Sequence, residues 1–295
     1  MTVLDCGGRS LDLGTCRVMG ILNVTPDSFS DGGDFFCPDD ALKRAREMVS
    51  AGAAIIDVGG ESTRPGALEV SVEEEIRRVV PVIEAIHAEL PVPISIDTSK
   101  AGVMRAAVRA GAGMINDVRA LREDGSMQAA VELDVPVCLM HMQGQPRNMQ
   151  HAPHYEDIVR EVKTFLLERV AACMQAGIDR NKLLIDPGFG FGKDLDHNLS
   201  MLCGLTELAD IGLPVVTGVS RKSMIGKILE NGVDQRLYGS IALAALAAWQ
   251  GSMLIRAHDV EATVEAITVI NAVCAAREYE QHHPGAERAV NSGTV

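Results

Sequence analysis

Acidic, amide and basic side chains stand directly after short apolar runs in this sequence. Four of them are Asp97, Asn116, Asp186 and Lys222. A carboxylate can accept two parallel hydrogen bonds from an amidine-like edge, and a lysine ammonium can donate to a ring carbonyl. Together these residue types predict a site for a flat heterocycle with several N–H donors. For any single one of them, a structural ion pair is the alternative interpretation.

A second group of polar residues carries basic and hydroxyl side chains. Ser220 and Arg221 follow the seventh apolar run of the chain, and Arg256 and His258 follow the eighth. An arginine fork and the N-terminus of a following helix both bind phosphate oxygens, so this group predicts an anion pocket. Asn23, after the first run, would supply an amide oxygen to Mg²⁺, which needs few protein ligands beside water and substrate phosphate. A lone amide does not identify a metal site by itself.

Eight apolar runs precede these polar residues, and helix-length amphipathic stretches lie between the runs. The runs are residues 19–22, 53–58, 94–96, 113–115, 135–140, 183–185, 215–219 and 253–255. This alternation predicts an α/β fold, the (β/α)₈ TIM barrel, in which residues at the C-terminal strand ends build the active site. The opening segment through Leu13 predicts a short N-terminal hairpin that closes the lower end of the barrel.

The chain contains no linker that would divide it, so residues 1–280 are predicted to form one barrel domain. Ser71 and Glu74 have capping-box spacing at the start of the second helix, and Pro81 is expected to bend or break that helix. The fifth helix, residues 155–176, is expected to be the longest. Residues 281–295 are polar, with Pro and Gly, and predict a disordered C-terminal tail.

The composition limits the kind of protein. Hydrophobic residues make up 47% of the 295 and aromatic residues only 3%, which predicts an aliphatic core of buried parallel strands. A net charge of -13 argues against binding to nucleic acid. Residues 241–249 form a strongly apolar helical run that is too short to cross a membrane and is interpreted as a buried or dimer-facing helix. Seven cysteines without a Cys-x-x-Cys pair, and a start without a secretory signal, predict a cytoplasmic protein with reduced thiols.

Three segments have unusual compositions. Residues 25–33 and 59–66 are rich in Gly and Pro, follow predicted strands on the catalytic face, and are interpreted as lids that close over substrate. Residues 188–193 lack the spacing of a Walker A or Rossmann motif and are interpreted as a flexible turn that lets backbone approach a bound ring. His141, with His151 and His154, gives weak support for a zinc site.

Long motifs in the same chain order resemble those of dihydropteroate synthase. They are residues 23–33 (NVTPDSFSDGG), 57–66 (DVGGESTRPG), 97–100 (DTSK), 115–117 (IND), 139–144 (LMHMQG), 186–193 (DPGFGFGK), 220–223 (SRKS) and 256–259 (RAHD). The resemblance covers about residues 11–277 and leaves the C-terminal tail outside it.

This resemblance implies a specific activity. Members of the family condense 6-hydroxymethyl-7,8-dihydropterin diphosphate with 4-aminobenzoate, which gives 7,8-dihydropteroate and diphosphate in folate (tetrahydrofolate) biosynthesis. They usually work as homodimers with Mg²⁺, and they are the target of sulfonamides, which imitate 4-aminobenzoate.

The resemblance also implies a role for each matching residue. The pterin would be held by Asp97, Asn116, Asp186 and Lys222, with Asp97 and Asp186 as the catalytic carboxylates. The diphosphate end would meet Thr63, Arg256 and His258, and Asn23 would bind Mg²⁺. The lids and the aminobenzoate side would be formed by Asp27, Phe29, Arg64 and Ser220.

Three other functions remain as alternatives. A pterin-dependent methyltransferase, which uses methyltetrahydrofolate, has a similar Asp and Asn set but needs no diphosphate pocket. A non-catalytic paralogue would bind pterin diphosphate without turning it over, and could lose lid residues that are present here. A Schiff-base aldolase would use Lys222, although the Ser-Arg-Lys run does not require a covalent lysine.

Overall fold

The first elements of the chain form a hairpin and the first barrel strand. The computed structural model describes residues 2–25, 38–62, 69–144, 149 and 153–282. Strands β1 (Val3–Asp5) and β2 (Ser10–Asp12) pair antiparallel, as the sequence predicts. Strand β3 (Arg17–Asn23) follows and begins the barrel.

Strands and helices then alternate to the end of the described chain. In order they are α1 (Pro38–Ser50), β4 (Ile55–Gly59), α2 (Val72–Glu89), β5 (Ile94–Asp97), α3 (Ala101–Ala110), β6 (Met114–Asp117), α4 (Ser126–Leu133), β7 (Val137–Met140), α5 (Ile158–Ala176), β8 (Leu183–Asp186), α6 (Leu195–Cys203), α7 (Leu205–Ala209), β9 (Val215–Thr217), α8 (Ser223–Leu229), α9 (Leu237–Trp249), β10 (Ser252–Ala257) and α10 (Val260–His282). Strands β3 to β10 close into one parallel barrel, with β10 paired to β3. The predicted (β/α)₈ barrel with its N-terminal hairpin is therefore confirmed.

Two expectations about the helices need correction. Helix α2 begins as predicted, because the Ser71 hydroxyl accepts a hydrogen bond from the Glu74 N–H, but it runs through Pro81 without a break. The ring of Pro81 is on the exposed side of α2, where the hydrogen bond that it removes leaves a carbonyl near water. Among the described helices the longest is α10, with 23 residues against 19 in α5, which ends at Gly177. Among the described helices, none is long and apolar enough to cross a membrane.

Alternation along the strands sorts their side chains into an outer and an inner set. Outward residues such as Ile56 and Val58 pack against the helices in the main core cluster. Inward residues at the lower end form a second buried cluster with the hairpin. The members of this lower cluster are Leu4, Cys6, Leu11, Leu13, Met19, Ile55, Met114, Cys138, Leu184, Val216 and Leu254. The hairpin therefore closes the bottom of the barrel with apolar side chains.

Polar residues stand two positions after members of the lower cluster. Asp57 follows Ile55, and Asn116 follows Met114 in the same way; Asp186 and Arg256 stand likewise after Leu184 and Leu254. Because side chains two apart on a strand point to the same side, these polar groups form the next layer inside the barrel. The apolar layer below thus supports a polar layer at the C-terminal strand ends.

The contact between the hairpin and β6 gives a prediction about stability. A side-chain Cβ at Gly113 would lie 2.0 Å from the Cys6 backbone oxygen, which cannot move without displacing the hairpin. We expect Gly113→Ala to lower the free energy of unfolding in urea by about 2–3 kcal/mol, the usual effect of overpacking.

Gly232→Ala is the matched control, because no atom lies within 4 Å of the Cβ that it adds. Equal unfolding midpoints for the two variants would contradict the close hairpin contact.

Candidate active site

The C-terminal ends of the barrel strands surround an open cavity. Its polar lining comes from Asp97, Asn116, Asp186, Lys222 and Arg256, which are five of the residues selected from the sequence. Its apolar lining comes from Val118, Met140, Phe189 and Phe191, with Gly218. The cavity thus combines carboxylates, an amide and two cations with flat apolar walls, which suits a flat polar ring.

Arg256 lies between two carboxylates inside the barrel. Its Nε donates to Asp57 Oδ2 at 2.5 Å, and its Nη2 donates to Asp97 Oδ2 at 2.6 Å. Asn116 Nδ2 also donates to Asp57 Oδ2, at 3.1 Å. These bonds fix the side chains of three neighbouring strands and of β10 relative to one another.

Asp57 was missed as a site residue by the sequence interpretation. It lies inside an apolar run, Ile55–Gly59, whereas the residues that the sequence selects after this run are Thr63 and Arg64. A single carboxylate within a fully buried strand was the available signal, because such a charge needs a partner. Its Oδ1 has no hydrogen-bond partner within the described residues, so part of its hydrogen-bonding capacity is left open.

The carboxyls of the cavity titrate near neutral pH. Burial raises the pKa of Asp97 to about 7, and the negative charge of Asp57 raises it as well, whereas Arg256 lowers it. Burial likewise raises the pKa of Asp186 to about 6, opposed by the Gly188 N–H and by Lys222. Asp57 and Asp97 raise the pKa of Arg256 despite its burial, so the guanidinium stays charged. The site therefore holds one permanent cation among carboxyls whose charge a ligand can change.

Lys222 faces an aromatic ring at the edge of the cavity. Its Nζ lies 4.3 Å from the centroid of Phe191, which is within the range of a cation–π contact. Burial and the neighbouring Arg256 lower the pKa of Lys222 to about 8, while Asp186 opposes that change. A Cβ at Gly190 would lie 3.2 Å from Lys222 Cδ, so a side chain there would crowd the lysine.

The turn at residues 188–193 is not the flexible segment that its glycines suggested. Gly188 donates its N–H to Asp186 Oδ1 at 2.7 Å, and Phe189 and Phe191 are buried. Lys193 is 2% exposed and donates to the backbone oxygens of this turn. Backbone does approach closely here, since a Cβ at Gly188 would lie 1.9 Å from the His141 oxygen. The glycines therefore permit tight packing rather than motion.

Ser220 and His258 form a pair on the side predicted for an anion. Ser220 Oγ lies 3.0 Å from His258 Nδ1 and accepts from the His258 backbone N–H. Burial, with Arg256 and Arg221 nearby, lowers the pKa of His258 to about 3, so its ring is neutral at pH 7. Arg221, also expected at this pocket, instead pairs both arms of its guanidinium with Asp259. The anion side is thus less basic than the sequence indicated.

The metal-binding expectations can be compared with the donor atoms. Asn23 ends β3 half-buried, and its Oδ1 lies 3.9 Å from the position of a Cβ on Gly59, whose missing side chain leaves room beside it. No cluster of three His, Cys, Asp or Glu side chains suited to a metal occurs in the described ranges. This donor set fits Mg²⁺ held by one amide oxygen, water and substrate phosphate.

The structure does not support a zinc site at His141. His141 Nδ1 lies 2.9 Å from Lys193 Nζ, and its ring packs edge-on against Phe165. His154 is joined through its backbone to the Gln143 side chain, and His151 lies outside the described residues. Four predicted site residues also lie outside them, namely Asp27, Phe29, Thr63 and Arg64.

Comparison with known proteins gives consistent matches over most of the chain. Residues 19–258 match the family model described as "Pterin binding enzyme". The dihydropteroate synthase of Escherichia coli (strain K12) is 56% identical over 275 residues, which are 93% of this chain and 98% of that protein. The Haemophilus influenzae dihydropteroate synthase is 52% identical over 266 residues, 90% of this chain and 97% of its own length.

Solved structures agree with these relatives. The Xanthomonas albilineans dihydropteroate synthase with 4-aminobenzoic acid superposes with a TM-score of 0.88 at 53% identity, covering 93% of this chain and 98% of that one. The same enzyme in complex with 7,8-dihydropteroate has a TM-score of 0.85 at 51% identity, with 92% and 99% covered. The Yersinia pestis enzyme in a sulfonamide drug complex has a TM-score of 0.89 at 53% identity, again with 92% and 99% covered.

The arrangement around Arg256 predicts a pH-dependent loss of stability. The folded-state pKa of Asp97, about 7, lies above its ordinary value of 3.8, so this group favours folding at low pH and loses that contribution as pH rises through 7. Removal of Arg256 raises that pKa further. We expect Arg256→Ala to lower the free energy of unfolding by about 3–5 kcal/mol at pH 8.5, where a buried carboxylate has lost its partner, and by clearly less at pH 6.

Arg46→Ala removes an exposed pair with Glu89 and is the control, with little effect expected at either pH. Urea unfolding of the ligand-free protein measures both variants. A loss of stability by Arg256→Ala that is independent of pH would mean that Asp97 is not the group that depends on Arg256.

Proposed function

The chain belongs to the dihydropteroate synthase family, and we propose that it condenses 6-hydroxymethyl-7,8-dihydropterin diphosphate with 4-aminobenzoate to give 7,8-dihydropteroate and diphosphate. The observation that carries this proposal is the set of cavity residues at the strand ends, within a chain 56% identical to a dihydropteroate synthase. The reaction transfers the dihydropterin-6-ylmethyl group from diphosphate to the nitrogen of an arylamine, a step of folate biosynthesis.

Recognition of the pterin is assigned to the polar layer of the barrel. We propose that Asp186, Asn116 and Asp97 accept and donate hydrogen bonds along the edge of the ring, while Lys222 donates to its carbonyl. The raised pKa values of Asp97 and Asp186 favour this, because ring N–H donors stabilise the ionised carboxylates and so offset their burial. The apolar walls at Phe189 and Met140 suit the faces of the ring.

The chemical step is proposed to begin with departure of diphosphate. The C–O bond of the pterin methylene breaks, its electron pair leaves with the diphosphate, and positive charge spreads into the dihydropterin. The fixed carboxylates of Asp97 and Asp186 stabilise that charge without moving, which is electrostatic preorganisation. The amine lone pair of 4-aminobenzoate then forms the C–N bond, and its surplus proton passes to water or diphosphate. No covalent enzyme intermediate is needed.

Diphosphate is assigned to the opposite side of the site. Arg256 and His258, with Thr63, are proposed to contact the phosphate oxygens, and Asn23 would hold Mg²⁺ there. When bound, Mg²⁺ supplies positive charge that stabilises the departing diphosphate. Because the ring of His258 is neutral, it would contribute a hydrogen bond rather than a full charge.

The second substrate is assigned to the lids. We propose that Asp27, Phe29, Arg64 and Ser220 lie beside 4-aminobenzoate. Sulfonamides would compete there, as expected for a relative of the Yersinia pestis enzyme that was solved with a sulfonamide drug. Ser220 is 8% exposed and bonded to His258, so it is held in place next to the anion side.

A homodimer in the cytoplasm is proposed for the assembled protein. Exposed apolar side chains on α9 and α10 support dimer formation, including Leu246, Trp249, Val269 and Val273. The cysteines in the described ranges are free, which agrees with a reducing compartment. The methyltransferase and the non-catalytic paralogue receive no comparable support from the named relatives.

A direct assay tests the proposed function. Diphosphate release and dihydropteroate formation are measured from pterin diphosphate and Mg²⁺, with and without 4-aminobenzoate, and again after chelation of Mg²⁺. We expect equimolar products only when both substrates are present, and a strong decrease after chelation. Equal diphosphate release with and without the amine would contradict the synthase reaction.

Substitution of Asp186 tests the electrostatic mechanism. Asp186→Asn keeps the shape of the side chain and removes its negative charge. At pH 8, where the wild-type carboxyl with its pKa of about 6 is ionised, we expect kcat to fall by about 10²–10³-fold. Pterin affinity should fall less, because the ring carries more positive charge in the transition state than in the ground state.

Asp196→Asn, on the exposed face of α6, is the matched control and should keep wild-type kinetics. If Asp186→Asn keeps near-normal kcat and loses only affinity, Asp186 merely positions the ring.

A further inference from the structure

The turn at residues 188–193 forms one wall of the cavity. Phe189 and Phe191 line that wall, and the Phe191 ring lies under Lys222 Nζ. The first N–H of the turn, from Gly188, is bonded to Asp186 Oδ1 at 2.7 Å. The shape of this turn therefore sets both an apolar wall and the orientation of the Asp186 carboxylate.

Lys193 holds the turn from behind. Its Nζ lies 3.0 Å from the Gly188 oxygen, 3.1 Å from the Phe191 oxygen and 2.9 Å from His141 Nδ1. An ammonium group has three N–H donors, and these three acceptors match them. Burial lowers the pKa of His141 to about 2, so its ring is neutral and Nδ1 can accept. Every donor of Lys193 is thus used to fix the turn and His141, the residue after β7.

Other side chains hold the same turn without adding charge. Tyr155 OH donates to the Gly192 oxygen at 2.8 Å, and Asn198 Oδ1 accepts from the Gly190 N–H at 2.7 Å. Asn198 Nδ2 also donates to the Lys193 oxygen, at 3.2 Å. Lys193 differs from these two residues because it places a positive charge behind the active-site wall.

The charge of Lys193 acts on Asp186. Burial, with Lys222 nearby, lowers the pKa of Lys193 to about 7, and the Asp186 carboxylate opposes that change. Within the described chain, the hydrogen-bond acceptors of Lys193 are all neutral. In the other direction, Lys193 favours the ionised form of Asp186, together with Lys222 and Arg256. Cys138, on the neighbouring strand, also faces Asp186, but burial and the nearby carboxylates keep its thiol protonated. A neutral residue of similar length would avoid the burial of this cation.

We propose that Lys193 is a positioning residue for the condensation: it fixes the turn at 188–193 and, through its charge, keeps the Asp186 carboxylate ionised and correctly oriented. This inference rests on the proposed function, since Asp186 matters only if the site binds the pterin. Lys193 itself contacts no substrate in this scheme.

The test compares Lys193→Met with three other variants. Met has a similar length but no charge and no donors, so we expect kcat/KM for the pterin diphosphate to fall by about 10- to 100-fold, the effect of a small misplacement in a site. KM for the pterin should rise as well. The acid limb of the pH profile should move to higher pH, because loss of the cation raises the pKa of Asp186.

The remaining variants separate charge from position. Tyr155→Phe removes only the bond to the Gly192 oxygen; it should speed hydrogen exchange at residues 188–192 without moving the acid limb. Lys193→Gln keeps donors but loses the charge, so it should retain slower exchange than Lys193→Met and still show the shifted acid limb. Lys43→Met, on the exposed face of α1, should resemble wild type in every measurement.

The outcomes are distinguishable. If wild type itself makes no dihydropteroate, the proposed function fails, and hydrogen exchange alone still tests the fixing of the turn. Lower kcat with unchanged KM, pH profile and exchange would indicate only a smaller folded fraction and would overturn the proposal. If Lys193→Met does not fold, Lys193→Gln and Tyr155→Phe decide: an acid limb unmoved by Lys193→Gln would also overturn it.

Discussion

The contact of Arg256 with Asp57 and Asp97 is the interaction on which the active end of the barrel depends. Three carboxyls, those of Asp57, Asp97 and Asp186, lie inside a parallel barrel whose interior contains few other charges. Burial favours the protonated forms of Asp97 and Asp186, and a protonated carboxyl could not stabilise positive charge in a substrate. A guanidinium bonded to two of them allows the layer to carry negative charge near neutral pH. Folding and chemistry therefore use the same ion pairs.

The strand pattern was predictable because barrel strands are buried on both faces. Each apolar run ended within two residues of the strand found there, and residues at the strand ends met in one cavity as the fold requires. Local sequence also determines the backbone where glycine ends a helix: Gly111 and Gly177 end α3 and α5 in the left-handed conformation, which glycine adopts without strain. These features depend on neighbours in sequence, which is why a single chain reveals them.

The site features that the sequence does not predict depend on contacts between residues far apart in the chain. The role of Asp57 cannot be identified from the sequence, because it depends on the ion pair with Arg256, 199 positions away. The sequence indicates Lys193 only as part of a flexible turn. Its three acceptors, two backbone oxygens and His141 Nδ1, cannot be recognised from residue types. Arg221 was assigned to an anion, but Asp259 occupies its guanidinium. In each case the sequence shows the residue but not the partner that determines its role.

The two layers inside the barrel differ in how readily their residues can be substituted during evolution. Four polar residues at the mouth stand one pleat repeat, about 6.6 Å, above apolar residues of the lower cluster, namely Asp57, Asn116, Asp186 and Arg256. Apolar burial is thus concentrated in one layer and the polar groups that face a ligand in the next, on the same strands. Substitutions in the upper layer outside the Arg256 ion pairs can accumulate while the lower cluster keeps the strands in register. A new ligand can in this way be acquired through exchange of a few mouth residues. A one-residue insertion in a strand would instead turn its inward side chains outward, and both the lower cluster and the polar layer would lose residues.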